Sequence, residues 1–230
     1  MKRILFINGS LGGAQGNTAA LEECLLEVLA PHAECERLFL SDFWERGGHS
    51  IPGSGDLDLL ELRLKGADGF VFTTGTYWDS WGSPMQRFLE TCTEFEGTDL
   101  WVGKPAAVLV TMHSVGGKEV LSRLQGVLCT LGLQLPPMSG MVDSLSNHWA
   151  LKHAATLEKS NPGRGEETGA DLWRPEDVKV IGHNLLRGLA QAGLARTRFT
   201  SDPEATGKSP ESEEWAVWPV DTGDPKRRWF

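Results

Sequence analysis

The sequence predicts a doubly wound α/β domain, a parallel sheet with helices on both faces. Three observations carry the prediction. Apolar runs of strand length alternate with stretches whose leucines and valines recur at helical spacing. The first run leads directly into a loop of Gly, Ser, Asn and Thr and then a helix. Two later runs are each followed by a glycine-bearing polar loop and a helix. Three such loops would meet at the carboxyl edge of one sheet, where open parallel sheets bind their ligands.

In chain order, the strands are expected at 3–7, 35–40, 69–73, 106–111 and, more weakly, 134–137. The helices between them are expected at 17–29, 56–65, 83–95 and 118–131. Leu57, Leu60 and Leu64, and then Val120, Leu121, Leu124 and Leu128, mark the faces that cover the sheet. A last helix is expected at 175–192: a proline and acidic residues open it and Gly193 follows it, in keeping with helix capping. Residues 139–173, rich in Gly, Ser and charge from 145 to 171, read as an insertion into a single domain spanning 1–195. Residues 196–230 form a Trp/Pro-rich extension. It carries Trp215, Trp218, Trp229 and Phe230, rings that a disordered tail seldom spends, so it is expected to lie across its own domain or a second subunit.

Composition excludes several classes of function. At 230 residues and 40% hydrophobic content the chain can bury one good core. A formal charge of −9 and a pI near 5.2 argue against a nucleic-acid partner, since the only basic run is Lys226 to Arg228. Cys24, Cys35, Cys92 and Cys129 are scattered without a CxxC pair, so no zinc or iron–sulfur ligand set is visible, and no metal is expected. No apolar run approaches about 18 residues and no secretory leader is evident, so the expected location is the cytoplasm, without a membrane association.

The loop from Asn8 to Thr18 reads NGSLGGAQGNT. A nucleoside-triphosphate loop would place Lys and Ser/Thr after its last glycine, whereas Gly16 is followed by Asn17 and Thr18. The dinucleotide pattern GxGxxG also fails, because Gly9, Gly12 and Gly13 are wrongly spaced. A monophosphate site of hydroxyls and amides remains, with Ser10, Gln15, Gly16, Asn17 and Thr18 as its candidates. Ser10, Asn17 and Thr18 could equally be helix caps, which use the same geometry. The second loop contributes Thr76, Tyr77, Trp78, Asp79 and Ser80, and the third His113, Ser114, Gly116 and Gly117. Tyr77, Trp78 and Trp81 could offer a flat surface to a ring, though Trp81 could also be core or an oligomer contact. Gly116 and Gly117 would let backbone approach a ligand closely. His113 is kept as a lining residue rather than a proton donor.

Two motifs together resemble the flavodoxin-like NAD(P)H-dependent FMN reductase and quinone reductase family. Its loop GSxxxxGNT corresponds to Gly9-Ser10 followed by Gly16-Asn17-Thr18. Its motif PxYWxSxSxxMKxFLDR corresponds to Tyr77, Trp78, Ser80, Met85, Phe88, Leu89 and Glu90. The resemblance covers roughly residues 1–137. It implies a five-stranded flavodoxin-like sheet, a non-covalent FMN, NADH or NADPH as cosubstrate, a small acceptor such as a quinone or flavin, and a homodimer or homotetramer. The flavin would carry the chemistry, with no catalytic side chain required. Three positions depart from the family: Gly75, Gln86 and Glu90 stand where proline, lysine and aspartate are usual. Gly75 is expected to loosen the turn into the second loop, and Gln86 to remove a charge near the site. Two other classes stay open, an acidic flavodoxin-like electron carrier and a flavin-binding domain with an assembly role.

Overall fold

The computed structural model describes residues 1–46, 54–146, 148 and 177–199. Its first strand, β1 (Lys2–Asn8), leads through a 3-10 turn (Gly13–Gln15) into α1 (Asn17–Leu29). Then follow β2 (Ala33–Phe39), α2 (Leu40–Arg46), α3 (Ser54–Gly66), β3 (Gly69–Gly75), α4 (Ser83–Thr91), β4 (Ala106–Met112), α5 (Gly117–Leu131), β5 (Gly140–Ser144) and α6 (Val178–Phe199). The five strands form one parallel sheet in the order β2-β1-β3-β4-β5. This is the flavodoxin-like doubly wound arrangement.

Side chains alternate across the strands and so build two cores. On one face Leu5, Ile7, Phe70, Phe72, Val108 and Val110 meet α3, α4 and α5. Phe70, Phe72 and Phe88 surround the fully buried Trp101, with ring centroids 5.1 to 6.5 Å from it. On the other face Ile4, Phe6, Val71, Ala107 and Leu109 meet α1 and α6. β1 and β3 are neighbours, yet the helices that follow them lie on opposite faces. Their carboxyl ends are therefore the topological switch point, the place at which such sheets bind ligands.

Four expectations need correction. The fifth strand is Gly140–Ser144, not 134–137. Pro136 and Pro137 have no amide hydrogen to give a ladder, and Gln134 makes only an isolated bridge to Pro105. The second strand ends at Phe39, because Leu40 already opens α2, an element missing from the sequence reading. The helix expected to run to 95 stops at Thr91 and continues as a 3-10 turn, Cys92–Phe95. The last helix passes Gly193 and ends at Phe199, since an interior glycine costs only about 1 kcal/mol against alanine. β5 occupies the start of the stretch 139–173. The remainder of that stretch beyond 148, and the aromatic extension from 200 onward, lie outside the described residues.

Candidate functional site

The first loop is shaped by its own side chains. Asn8 and Ser10 are buried. Asn8 Oδ1 accepts from the Ser10 amide at 3.0 Å, and Ser10 Oγ accepts from the Gly12 amide at 3.2 Å. Two successive side chain to backbone turns thus fold the loop back over the end of β1. α1 then starts at Gly16 without any side-chain cap, so Ser10, Asn17 and Thr18 do not cap it. Thr18 is buried, and Gln15 and Asn17 are exposed. The first amides of α1 keep the orientation and partial positive charge that suit an anion.

Beneath the loop lies a carboxylate the sequence reading missed. Glu22 is fully buried on α1. Its Oε1 accepts from Asn8 Nδ2 at 2.9 Å and from the Thr73 hydroxyl, and its Oε2 accepts from Arg37 Nε at 2.9 Å and Nη2 at 2.7 Å. Arg37 also binds the Glu23 carboxylate and the Ala19 carbonyl, and its guanidinium lies 4.8 Å from the centre of the Phe39 ring. Burial raises the Glu22 carboxyl above its ordinary value, opposed by the hydrogen bonds from Thr73 and Arg37. The signal was present in the sequence: Glu22 shares the buried stripe of α1 with Thr18, Leu25 and Leu29.

The second loop is a two-residue hairpin. Tyr77 and Ser80 exchange backbone hydrogen bonds at 2.8 and 3.0 Å. Trp78 and Asp79 between them both have positive φ, 49° and 57°. Such a turn favours Asn-Gly. A tryptophan held in the left-handed region costs about 1–2 kcal/mol, and here its ring is fully exposed. The Tyr77 hydroxyl accepts from the Leu11 amide at 3.2 Å and so ties the second loop to the first. Gly75 is buried at the end of β3, and a Cβ there would stand 3.0 Å from the Tyr77 ring. Trp81 belongs with the core rather than with an open ring surface. Its Nε1 donates to Gln86 Oε1 at 2.8 Å, its ring lies 5.0 Å from the Arg123 guanidinium, and it packs against the core of α4 and α5. Gln86 in turn donates to Glu90 at 2.8 Å, so this pair braces Trp81 from below.

The third loop meets the second through Gly116, whose φ is +83°. A Cβ at Gly116 would fall 2.0 Å from Asp79 Oδ1, and one at Gly117 would fall 2.4 Å from Val142. Their smallness is used by neighbouring protein groups as well as by any ligand. His113 and Ser114 are exposed, and the His113 carbonyl accepts from the Ser146 amide at 3.0 Å. The structure therefore brings all three predicted loops together at the carboxyl edge. Beside Asn17, a cavity of about 230 Å³ opens between α1 and the ends of β4 and β5. His148 and Asp143 line it, with Nε2 and Oδ1 2.6 Å apart. Among the described residues no cluster of His, Cys, Asp or Glu could hold a metal ion.

Residues 2–148 match the family described as NADPH-dependent FMN reductase. The chain belongs to this family. Among solved structures, RosB with bound 8-demethyl-8-formylriboflavin-5′-phosphate aligns with a TM-score of 0.62 at 15% identity, covering 100% of this chain and 95% of RosB. An oxidoreductase from Corynebacterium diphtheriae gives 0.54 at 15% identity, over 86% of this chain and 98% of its own. The NADH:FMN oxidoreductase EmoB gives 0.52 at 19%, over 89% and 93%. At these identities the likeness carries the fold alone. No curated protein matches the sequence. By that membership the chain is an NAD(P)H-dependent FMN reductase. Its residues fit that cofactor: the start of α1 is uncapped, and Thr76 Oγ1 is buried in the second loop without a hydrogen-bond partner.

Proposed function

We propose that the first loop holds the phosphate of FMN through the Ser10 and Thr18 hydroxyls, the Gln15 and Asn17 side chains and the amides from Gly16 onward. In the same reading, the second and third loops hold the isoalloxazine ring through Thr76 to Ser80 and through His113, Ser114, Gly116 and Gly117. The observation that carries this reading is the bond from the Leu11 amide to the Tyr77 hydroxyl, which joins the first loop to the second. When bound, FMN would supply the redox chemistry between NADH or NADPH and a small acceptor such as a quinone or flavin.

The protein's own residues bind and orient. The amides of the first loop meet a dianion without a lysine or arginine, so they stabilise it by fixed dipoles. The left-handed Trp78 holds an apolar ring out over the mouth at the cost of local strain, a cost characteristic of functional loops. Thr76 Oγ1 acquires a partner when a ring with polar edges is seated. We also propose that the reductase works in the cytoplasm as a homodimer or homotetramer. Exposed Leu11, Trp78 and Val115 lie on the three loops around the mouth, where a second subunit would cover them. Among the described residues no helix is long and apolar enough to cross a membrane.

The test is anaerobic reduction. Protein reconstituted with FMN should be bleached near 450 nm by NADH or NADPH, directly to the two-electron level. Retained flavin that neither nucleotide reduces would turn the reading toward an electron carrier.

A further inference from the structure

Three buried or half-buried features have no role in the proposed function: the Glu22 network, the cavity between α1 and the ends of β4 and β5, and the unpartnered Trp101 Nε1. The first reaches the site through an unbroken chain of hydrogen bonds. Arg37 on β2 holds one oxygen of Glu22; the other receives Asn8 Nδ2, and the opposite end of the same Asn8 amide receives the Ser10 N–H. An asparagine amide has one donor end and one acceptor end. A carboxylate at Glu22 can only accept from Asn8, so it fixes which end of Asn8 points at the loop. Thr73, the partner of Asn8 in the β1–β3 register, donates to the same Glu22 oxygen and locks the pair across the sheet.

We propose that Glu22 is a positioning residue for the phosphate site, acting through Asn8 on the Ser10 amide, and that this relay makes the reductase select FMN over riboflavin. The proposal rests on the reading that the first loop holds the phosphate. An apolar residue at position 22 would leave buried Asn8 Nδ2 with only the long 3.4 Å contact to Thr18 Oγ1, and free the amide to turn over. The end facing Ser10 would then be a donor against a donor. The loop would lose the fold that presents its amides, and the penalty would fall on ligands that carry a phosphate. Glu22 touches no flavin atom in this account, so its effect must be felt through loop order and not through ring contacts. Arg37 provides the counter-charge that lets a carboxylate be buried here, in a geometry with two nitrogens on one oxygen.

The measurement is the dissociation constant for FMN and for riboflavin, by quenching of flavin fluorescence, in wild type, Glu22→Leu, Glu22→Gln and Asn8→Ala. Glu22→Leu is expected to weaken FMN by about tenfold or more while leaving riboflavin within about twofold, the loss expected of one broken hydrogen-bond relay to a charged ligand. Glu22→Gln can keep an acceptor oxygen for Asn8 but turns its NH2 onto the Arg37 donors, so it should recover part of that loss. Asn8→Ala should show the same selective loss, and combining it with Glu22→Leu should add little, because both break one relay. In flavin-free protein, Glu22→Leu should also speed hydrogen exchange at the Ser10 amide. Should Glu22→Leu prove unfolded, the Asn8→Ala pair of constants and the exchange rate decide the matter. Parallel losses for FMN and riboflavin, or no change in either with Ser10 exchange unaltered, would overturn the proposal. Wild type that binds riboflavin as tightly as FMN would instead overturn the phosphate reading on which it rests, and with it the relay's purpose.

Discussion

Trp78 is displayed to solvent from a left-handed turn. Its ring is fully exposed and its φ is 49°, so the fold gains nothing from it and carries a strained backbone to display it. Trp78→Ala is therefore expected to leave the thermal midpoint nearly unchanged, within about 0.5 kcal/mol as for ordinary surface changes. The same variant should weaken flavin binding by roughly 3- to 10-fold, the worth of one aromatic contact. Equal flavin affinity in Trp78→Ala would remove the ring from the site. The motif made Tyr77 and Trp78 legible as a pair, but it could not distinguish their roles. Tyr77 is fastened between Gly75 and the Leu11 amide, while Trp78 projects from the turn. Trp81 was ambiguous in the sequence because an aromatic beside a glycine-rich loop reads the same on a ligand or on a core. Only the positions of Arg123 and Gln86, brought in from α5 and α4, resolve it. Glu22 escaped notice for the same reason: its partners stand on three strands.

Among the elements, the strands buried on both faces were readable, the edge strand β2 was readable apart from its ends, and the edge strand β5 was not. β3 and β4 are continuous apolar runs because helices cover them on both sides. β5, with sequence GMVDS, is short and half-buried, and its pattern resembles a loop. α2 abuts β2 with no connecting turn, so no punctuation marked it. At the amino end of the sheet, Asp68 ahead of β3 holds the start of β1, accepting from the Arg3 amide at 2.9 Å and from Lys2 Nζ at 3.1 Å. Its carboxyl lies below the ordinary value: burial pushes it up, but the Arg3 amide and the Lys2 ammonium together outweigh burial. A carboxyl lowered in the folded state adds stability above its ordinary pKa of 3.8, and that stability is lost as pH falls through the folded value. Asp68→Asn should thus lower stability at neutral pH, by about 1 kcal/mol for a lost charged hydrogen bond. Thermal midpoints of the two proteins should converge in strong acid. A gap that persists there would mean that the asparagine disturbs packing instead.

For the whole molecule, the two cores hold the sheet and the three loops hold the function, and the two are separable. Trp101→Ala, in the cluster of Phe70, Phe72 and Phe88, should cost about 3–5 kcal/mol of stability, read by denaturant unfolding. A loss below about 1 kcal/mol would mean that the cavity collapses. The doubly wound topology followed from the alternation of runs and stripes, and the position of the site followed from the topology. What the sequence withheld was the coupling between loops: the Leu11 to Tyr77 bond, the seat of Asp79 against Gly116, and the carboxylate beneath the first loop are contacts between distant segments. The most direct test of the central claim is an absorption spectrum of the purified protein after addition of FMN and removal of the excess by desalting. The account predicts flavin bands near roughly 370 and 450 nm that stay with the protein. A colourless protein would contradict it, and would mean that the three loops meet without forming a flavin site.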